Sequence, residues 1–469
     1  MAAGCHGLAD FHLPHGTVTA AETIVPPATV PGARATATRP FCRVAATLKP
    51  SSDSNILIEV WMPESNWNGK YEAVGNGGWS GSIGYGALAK AVNAGYAASS
   101  TDTGHTGGSA SFAFGHPEKL IDYAYRSEHE MAVAAKAIVA AFYGSGPRLS
   151  YWNGCSAGGK QGLMEAQRYP EDFDGIVAGS PAANWTGRAA QSIWVAQAVH
   201  KDDASYIPPE KYAAIHRAAL SACDELDGVR DGVIENPLAC KFDPAVLQCK
   251  DGDSPDCLTA AQVGAARKIY SASANPRTGE RLYAGLEPGS ELNWATWGGP
   301  RPLSIGLDYF RYVVFENPQW DFRTLDFDRE VARAEKLDHR RIDALDTNLR
   351  PFFDHGGKLI QYHGWSDGQI APGNSVDYYR SVTALLGDTG DSYRLFMVPA
   401  MGHCGGGEGA TSFDAMPALE QWVEQKKAPD RLVASRARDE WTHPLCPFPR
   451  TAVYSGKGDP KDAANYSCQ

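Results

Sequence analysis

Long apolar runs are missing from this 469-residue chain: the longest, Met131 to Tyr143, is interrupted by Lys136 and falls short of the ~20 residues that a spanning helix requires. No membrane span is expected. A cationic surplus is missing too, since 43 Lys and Arg against 54 Asp and Glu leave a net charge of −11, and neutralising phosphates demands the opposite sign. Nucleic acid is therefore not an expected partner. The ten cysteines include no Cys-x-x-Cys pair, which disfavours a zinc ribbon. The opening Met1-Ala2-Ala3-Gly4-Cys5 has no basic and apolar signal region, so the chain reads as a mature protein with an added Met. What is present is 43% hydrophobic and 21% charged residues, with 12 Trp, 20 Tyr, 16 Phe, 49 Gly and 30 Pro. That mixture excludes disorder and coiled coil and suits a loop-rich enzyme.

The even cysteine count points to an oxidised protein, secreted or periplasmic. Cys223 with Cys240 and Cys249 with Cys257 are close enough to close short loops, Cys446 with Cys468 could tie the C-terminal tail, and Cys5 with Cys42 the N-terminal one. The bland alternative is a set of buried thiols, but ten is many for a reducing compartment.

After an entry segment rich in proline (Pro26, Pro27, Pro31, Pro40), strand and helix patterns alternate. Strands are expected at Ile56 to Met62, Tyr71 to Gly75, Tyr96 to Ser100, Leu149 to Asn153 and Gly175 to Ala178. Helices are expected at Tyr85 to Ala94, Tyr123 to Phe142 and Gly159 to Tyr169. This is the rhythm of βαβ units on a parallel sheet. It breaks after Pro181 into helix-like pieces, such as Pro209 to Ala222, between loops rich in Cys, Pro and Gly. It returns with strands at Lys358 to His363 and Tyr393 to Val398 and helices at Ser375 to Leu386 and Ala415 to Lys426. The economical account is an αβ domain over residues 1–181 and 348–469, split by an inserted domain over 182–347.

Gly154-Cys155-Ser156-Ala157-Gly158 fits Gly-x-Ser-x-Gly, in which glycines let the chain turn sharply between strand and helix and expose the serine oxygen. Gly364-Trp365-Ser366-Asp367-Gly368 fits the same pattern. Context separates them: Ser156 lies between an expected strand and an expected helix, whereas Ser366 is followed closely by Pro372. In a hydrolase built this way the acid and the histidine follow the serine, each after a later strand. Asp367 and His403 occupy those places; His355 and His363 precede the acid, His443 lies in a late Pro-rich tail, and Asp388 and Asp391 sit in a polar loop. Cys155 directly precedes Ser156 and Cys404 directly follows His403, so a disulfide between them would draw nucleophile and base together.

Gly-Cys-Ser-x-Gly-Gly, then Gly-Trp-Ser-Asp with a proline soon after, then Gly-His-Cys resembles the arrangement of the tannase and feruloyl esterase family, which includes the hydrolase of mono(2-hydroxyethyl) terephthalate. The resemblance runs from about Asn76 to Cys404. It implies an α/β-hydrolase domain carrying an inserted lid domain, and carries nucleophile, acid and base over to Ser156, Asp367 and His403. The oxyanion donors are then expected at the N–H of Ala157 and at a glycine of Asn76-Gly77-Gly78, Gly78 ahead of Gly77. A turn that simply needs positive φ would explain those glycines equally well. The acidic run from Cys223 to Ile234 suits calcium, which favours oxygen-rich loops, although its spacing is not that of an EF-hand. It is similar to the family's structural calcium loop, which implies Ca2+ held by carboxylates of Asp224, Asp227 and Asp231 and carbonyls of Val229 and Val233.

The insertion is also rich in rings: Trp294, Trp297, Tyr309, Phe310, Tyr312, Phe315 and Trp320. Most are expected in its core, with at most two touching a planar acyl group. The resulting expectation is a secreted serine carboxylic ester hydrolase acting on esters of small aromatic acids, some carried on plant polysaccharide. Feruloyl or other hydroxycinnamoyl esters come first, galloyl esters second and terephthalate monoesters third. The rival of a different class is an inactive, carbohydrate-associated binding protein on the same fold, against which the intact Ser156, Asp367 and His403 stand.

Overall fold

A computed structural model describes residues 4–27, 37–338 and 341–469. Pro31 of the entry segment and Met1 to Ala3, on which the added-Met reading rests, lie outside the described residues. The chain forms two compact units, one of Met1–Ala178 with Arg340–Leu359, the other of Gly179–His339 with Ile360–Gln469.

In the first unit the strands are β1 (Gly16–Ile24), β2 (Phe41–Leu48), β3 (Ile56–Pro63), β4 (Lys70–Val74), β5 (Ala97–Thr101), β6 (Leu149–Cys155) and β7 (Gly175–Gly179), which reaches the unit's border. They run in the order β1-β2-β3-β5-β4-β6-β7. The β1, β2, β3 and β5 pairings are antiparallel, while β4 lies parallel to both β5 and β6. The sheet is therefore mixed, with the antiparallel strands gathered toward one edge.

The imperfect alternation of β3 has a physical cause. Ile56, Ile58, Val60 and Met62 are buried on one face, yet Glu59 and Trp61 on the other are buried as well. The Glu59 carboxylate is held there by Arg43 of β2, whose Nε lies 2.8 Å from Oε2, and by Trp61 Nε1 at 2.8 Å. Arg43 also donates to Glu22 of β1 at 2.7 Å, so a charged ladder crosses three strands.

The helices of this unit are α1 (Tyr85–Asn93), α2 (Pro117–Ile121), α3 (Ser127–Tyr143), α4 (Ala157–Arg168) and, later in the chain, Arg350–Asp354. The single helix expected from Tyr123 begins earlier, and a π turn over Asp122–Arg126 joins α2 to α3. Asp122 is buried inside that turn, where Arg126 Nε (2.6 Å) and Ser54 Oγ (3.1 Å) donate to it.

In the second unit the strands Lys358–Gly364, which begins at the border, and Tyr393–Val398 are neighbours, and the helix Gly373–Leu386 lies between them in the chain. Helix α5 (Trp185–Val199) packs against Ala260–Tyr270, and Val195, Val199, Ile215, Ile269, Trp294 and Trp297 form an apolar core. Tyr309, Phe310 and Trp320 are buried too, whereas Tyr312 and Phe315 are half-buried.

Disulfides join Cys5 to Cys42 in the first unit, and Cys223 to Cys240, Cys249 to Cys257 and Cys446 to Cys468 in the second. Cys155 and Cys404 are each disulfide-bonded, and no described cysteine is free.

Candidate active site

Ser156 stands between β6 and α4 at φ 66°, ψ −121°, a conformation costly for a residue with a Cβ. The flanking glycines show what makes the turn possible. A Cβ on Gly154 would lie 2.5 Å from the Gly158 carbonyl oxygen, and one on Gly158 would meet the Cα of Gly75 at 3.0 Å. The Gly158 N–H donates to Asn76 O at 2.7 Å, so the start of α4 is pinned to the turn after β4. Ser156 itself is half-buried, and Ala157 is the first, buried residue of α4.

The Asn76-Gly77-Gly78 turn is held from several sides. Asn76 Nδ2 donates to the carbonyls of Ser82 (2.9 Å) and Thr101 (2.8 Å), and its N–H donates to Gln161 Oε1 of α4 at 3.0 Å. Gly78 has φ +53°, and its carbonyl accepts the Tyr123 hydroxyl at 2.6 Å. Gly77 has no positive φ and open space where a Cβ would stand. Gln161 also bonds the buried Glu128 carboxyl, which burial pushes up to about 7 against the opposing charge of Lys160.

In the second unit Asp367 and His403 come together. His403 Nδ1 donates to Asp367 Oδ2 at 2.7 Å, which leaves Nε2 as the nitrogen able to take a proton. Asp367 has no exposed surface, and its Oδ1 accepts the N–H groups of Gln369 (2.7 Å) and Ile370 (3.0 Å). Burial would raise this carboxyl, but hydrogen bonds and charge from His363 and His403 overcome it and hold Asp367 well below the usual carboxylate range. His363, set aside on chain order, lies 3.2 Å from the same Oδ2.

The other candidates have different surroundings. Ser366 is buried and spends its hydroxyl on the Gly289 carbonyl at 2.8 Å, and no helix starts until Gly373. His443 pairs with Glu235 at 3.0 Å, Asp388 accepts the Gly390 N–H in a surface loop, and His355 is exposed.

The acidic loop folds as a tight turn over Asp224–Asp227, with Gly228 and Gly232 at positive φ. Asp224 accepts N–H groups of Asp231 (3.3 Å), Gly232 (3.1 Å) and Val233 (3.2 Å), while Asp227 accepts from Val229 at 3.0 Å. Burial, then the charges of Asp227 and Asp224, push Asp231 up to about 6. Three carboxylates in one short loop are the anionic oxygen set that suits calcium. Its carboxylates, however, are not drawn into a group with all ligand atoms within 4.8 Å of one another. Among the described residues that closeness occurs at Cys249, Asp253 and Cys257, where both sulfurs are already joined in a disulfide.

Residues 42–469 match the family model for tannase and feruloyl esterase. The chain belongs to the tannase and feruloyl esterase family. It is 37% identical to an uncharacterized esterase of Xanthomonas campestris pv. campestris, covering 99% of this chain and 91% of that one. It is 34% identical to a probable feruloyl esterase B-2 of Aspergillus terreus, over 99% and 95% of the two chains. In three dimensions it superposes on the crystal structure of feruloyl esterase B from Aspergillus oryzae with a TM-score of 0.94, 30% identity and 99% coverage of each chain. The fold is that of an α/β hydrolase, and the activity class is carboxylic ester hydrolysis.

Proposed function

We propose that this family member is a secreted serine esterase that cleaves feruloyl or other hydroxycinnamoyl esters of small alcohols and of plant polysaccharide through an acyl-enzyme. The observation that carries the reading is the 2.7 Å contact from His403 Nδ1 to a buried, ionised Asp367, which presets the histidine tautomer that a serine nucleophile needs. The strained Ser156 between β6 and α4 supports it as the nucleophile.

In this mechanism Ser156 Oγ attacks the ester carbonyl carbon while its proton passes to His403 Nε2. Asp367 stabilises the imidazolium that forms. The oxyanion is met by the N–H groups of Ala157 and Gly78. Collapse expels the alcohol, which takes its proton from His403, and water repeats the sequence on the acyl-enzyme to release the acid and restore Ser156. A Cys155–Cys404 bridge would join the neighbours of nucleophile and base. The disulfide content supports an oxidising, extracytoplasmic location. Of the seven rings named in the insertion, Tyr312 and Phe315 are the half-buried ones, and Phe315 packs on Phe310 and Trp320.

The test is kcat/KM on methyl ferulate, methyl gallate and mono(2-hydroxyethyl) terephthalate, with and without a serine-directed organophosphate. Methyl ferulate should be turned over fastest and the inhibitor should stop it. A gallate or terephthalate preference of tenfold or more would replace the substrate assignment, and activity indifferent to the inhibitor would remove the serine mechanism.

Calcium is proposed at Asp224, Asp227 and Asp231 with the carbonyls of Val229 and Val233, as a structural ion that lowers the cost of gathering three anions in one partly buried loop. Binding only to the folded state adds stability by mass action, so EDTA should lower the Tm by on the order of 5 °C and added calcium should restore it. Below that temperature kcat should stay the same, because attack by serine needs no Lewis acid. An unchanged Tm would refute the site, and immediate loss of kcat in a folded protein would refute its structural role.

A further inference from the structure

The Asp367 carboxylate receives two imidazoles, and the triad employs one of them. His363, the penultimate residue of the strand Lys358–Gly364, is wholly buried. Its Nε2 lies 3.2 Å from Asp367 Oδ2 and 3.0 Å from the Ile370 carbonyl. Both partners are acceptors, so Nε2 carries the hydrogen. In that tautomer Nδ1 accepts from the Ser375 hydroxyl at 2.7 Å. Ser375 is the third residue of the helix Gly373–Leu386, so the ring is fixed at both edges by the segments on either side of the acid loop.

The carboxylate is thereby fully engaged: Oδ1 holds the backbone N–H groups of Gln369 and Ile370, and Oδ2 holds His403 and His363. The terminal torsion of an aspartate is soft on its own. A second, immobile donor on Oδ2 stops that oxygen from following His403 as its ring moves with the proton. It also ties Ile370 back to the strand end, closing the turn that carries Asp367.

We infer that His363 is a positioning residue of the catalytic acid, holding Asp367 Oδ2 in the one orientation from which it can direct His403. The inference rests on the proposed triad. His363 touches no reacting atom, so its loss should reduce kcat and leave KM alone. A hydrogen bond to a charged group, when removed, corresponds to about 10- to 100-fold in rate.

Three substitutions separate positioning from mere packing. His363→Phe keeps a ring of similar bulk and removes both polar edges; kcat on a fixed aryl ester should fall by about 10- to 100-fold at constant KM. His363→Gln places an amide N–H where Nε2 stood and should recover most of the loss. His363→Asn puts its amide on the Ser375 side, away from Asp367, and should not. Wild-type kcat in the Phe variant, or equal rates for Gln and Asn, would overturn the inference; if the Phe variant does not fold, the Gln and Asn pair decides. Ser156→Ala and Asp367→Asn run alongside show which idea fails: if those two stay active the triad itself is wrong, and if they are dead while His363→Phe is normal, only the role of His363 is wrong.

Discussion

Ser156→Ala should lower kcat on any aryl ester by ~10,000-fold or more, with the Tm unchanged or raised, while Ser366→Ala should keep kcat within about threefold of wild type. The two serines share a Gly-x-Ser-x-Gly frame and differ in what their surroundings do with the hydroxyl. Ser156 is a non-glycine residue at φ 66° between β6 and α4, and the close approach of Gly158 to Gly75 and Asn76 is what holds it there. Strain of this kind persists only where neighbouring contacts over-determine it, and it keeps the side chain at the head of the helix. Ser366 accepts no such strain: its N–H donates to Met401 O at 3.0 Å and its hydroxyl to Gly289 O at 2.8 Å, so the group is a structural donor. Removing it leaves one half-buried carbonyl short of a partner, which costs about 1 kcal/mol of stability and little rate. Initial rates and thermal melts on both variants check the pair. A dead Ser366→Ala beside an active Ser156→Ala would dismantle the assignment of nucleophile and acid together.

The parts of this protein that are legible in its sequence are those where a single local signal is strong. Tyr393–Val398 is a largely buried run with a polar loop before it and Pro399 after it, and its expected limits coincide with the observed strand. The neighbourhood of Ser156 is legible because glycine spacing reports backbone crowding directly, and Gly154 and Gly158 are indeed in contact. Strands β1 and β2 escape a sequence reading. β1 is an edge strand, half-exposed along its length and bulged between Val18 and Ala20, so period-two burial is weak. β2 does alternate in burial, but through Val44, Ala46 and Leu48 opposite Arg43, Ala45 and Thr47, small and polar residues that follow a proline-rich stretch and so resemble a loop. The role of His363 is hidden for a different reason. Chain order ranks histidines by topology, whereas its contact with Asp367 depends on the turn from Gly364 to Ile370 folding the chain back on the strand end, which no spacing rule conveys.

Asp367→Asn should reduce kcat by about 10,000-fold while leaving the protein folded, an effect near that of losing the nucleophile although the side chain barely changes in size. The hydrogen-bond inventory explains why. Asp367 accepts on both oxygens, Oδ1 from Gln369 and Ile370 N–H and Oδ2 from His403 Nδ1 and His363 Nε2. An asparagine offers one oxygen and one NH2 group, and the backbone donors claim the oxygen. Its NH2 then faces two imidazole N–H groups. His403 relieves the clash by moving its hydrogen to Nε2, so Nδ1 becomes the acceptor and the nitrogen meant for the Ser156 proton is blocked. Because Asp367 is held below its unfolded value, the wild type carries stability that is complete above about pH 4 and is lost as pH falls through the folded value; the variant lacks that share of the acid sensitivity. The measurement is kcat at pH 7 together with acid unfolding followed by circular dichroism. An Asn variant with wild-type turnover would show that His403 needs no carboxylate to set its tautomer, and an acid transition identical to wild type would show that Asp367 is not held down by its two histidines.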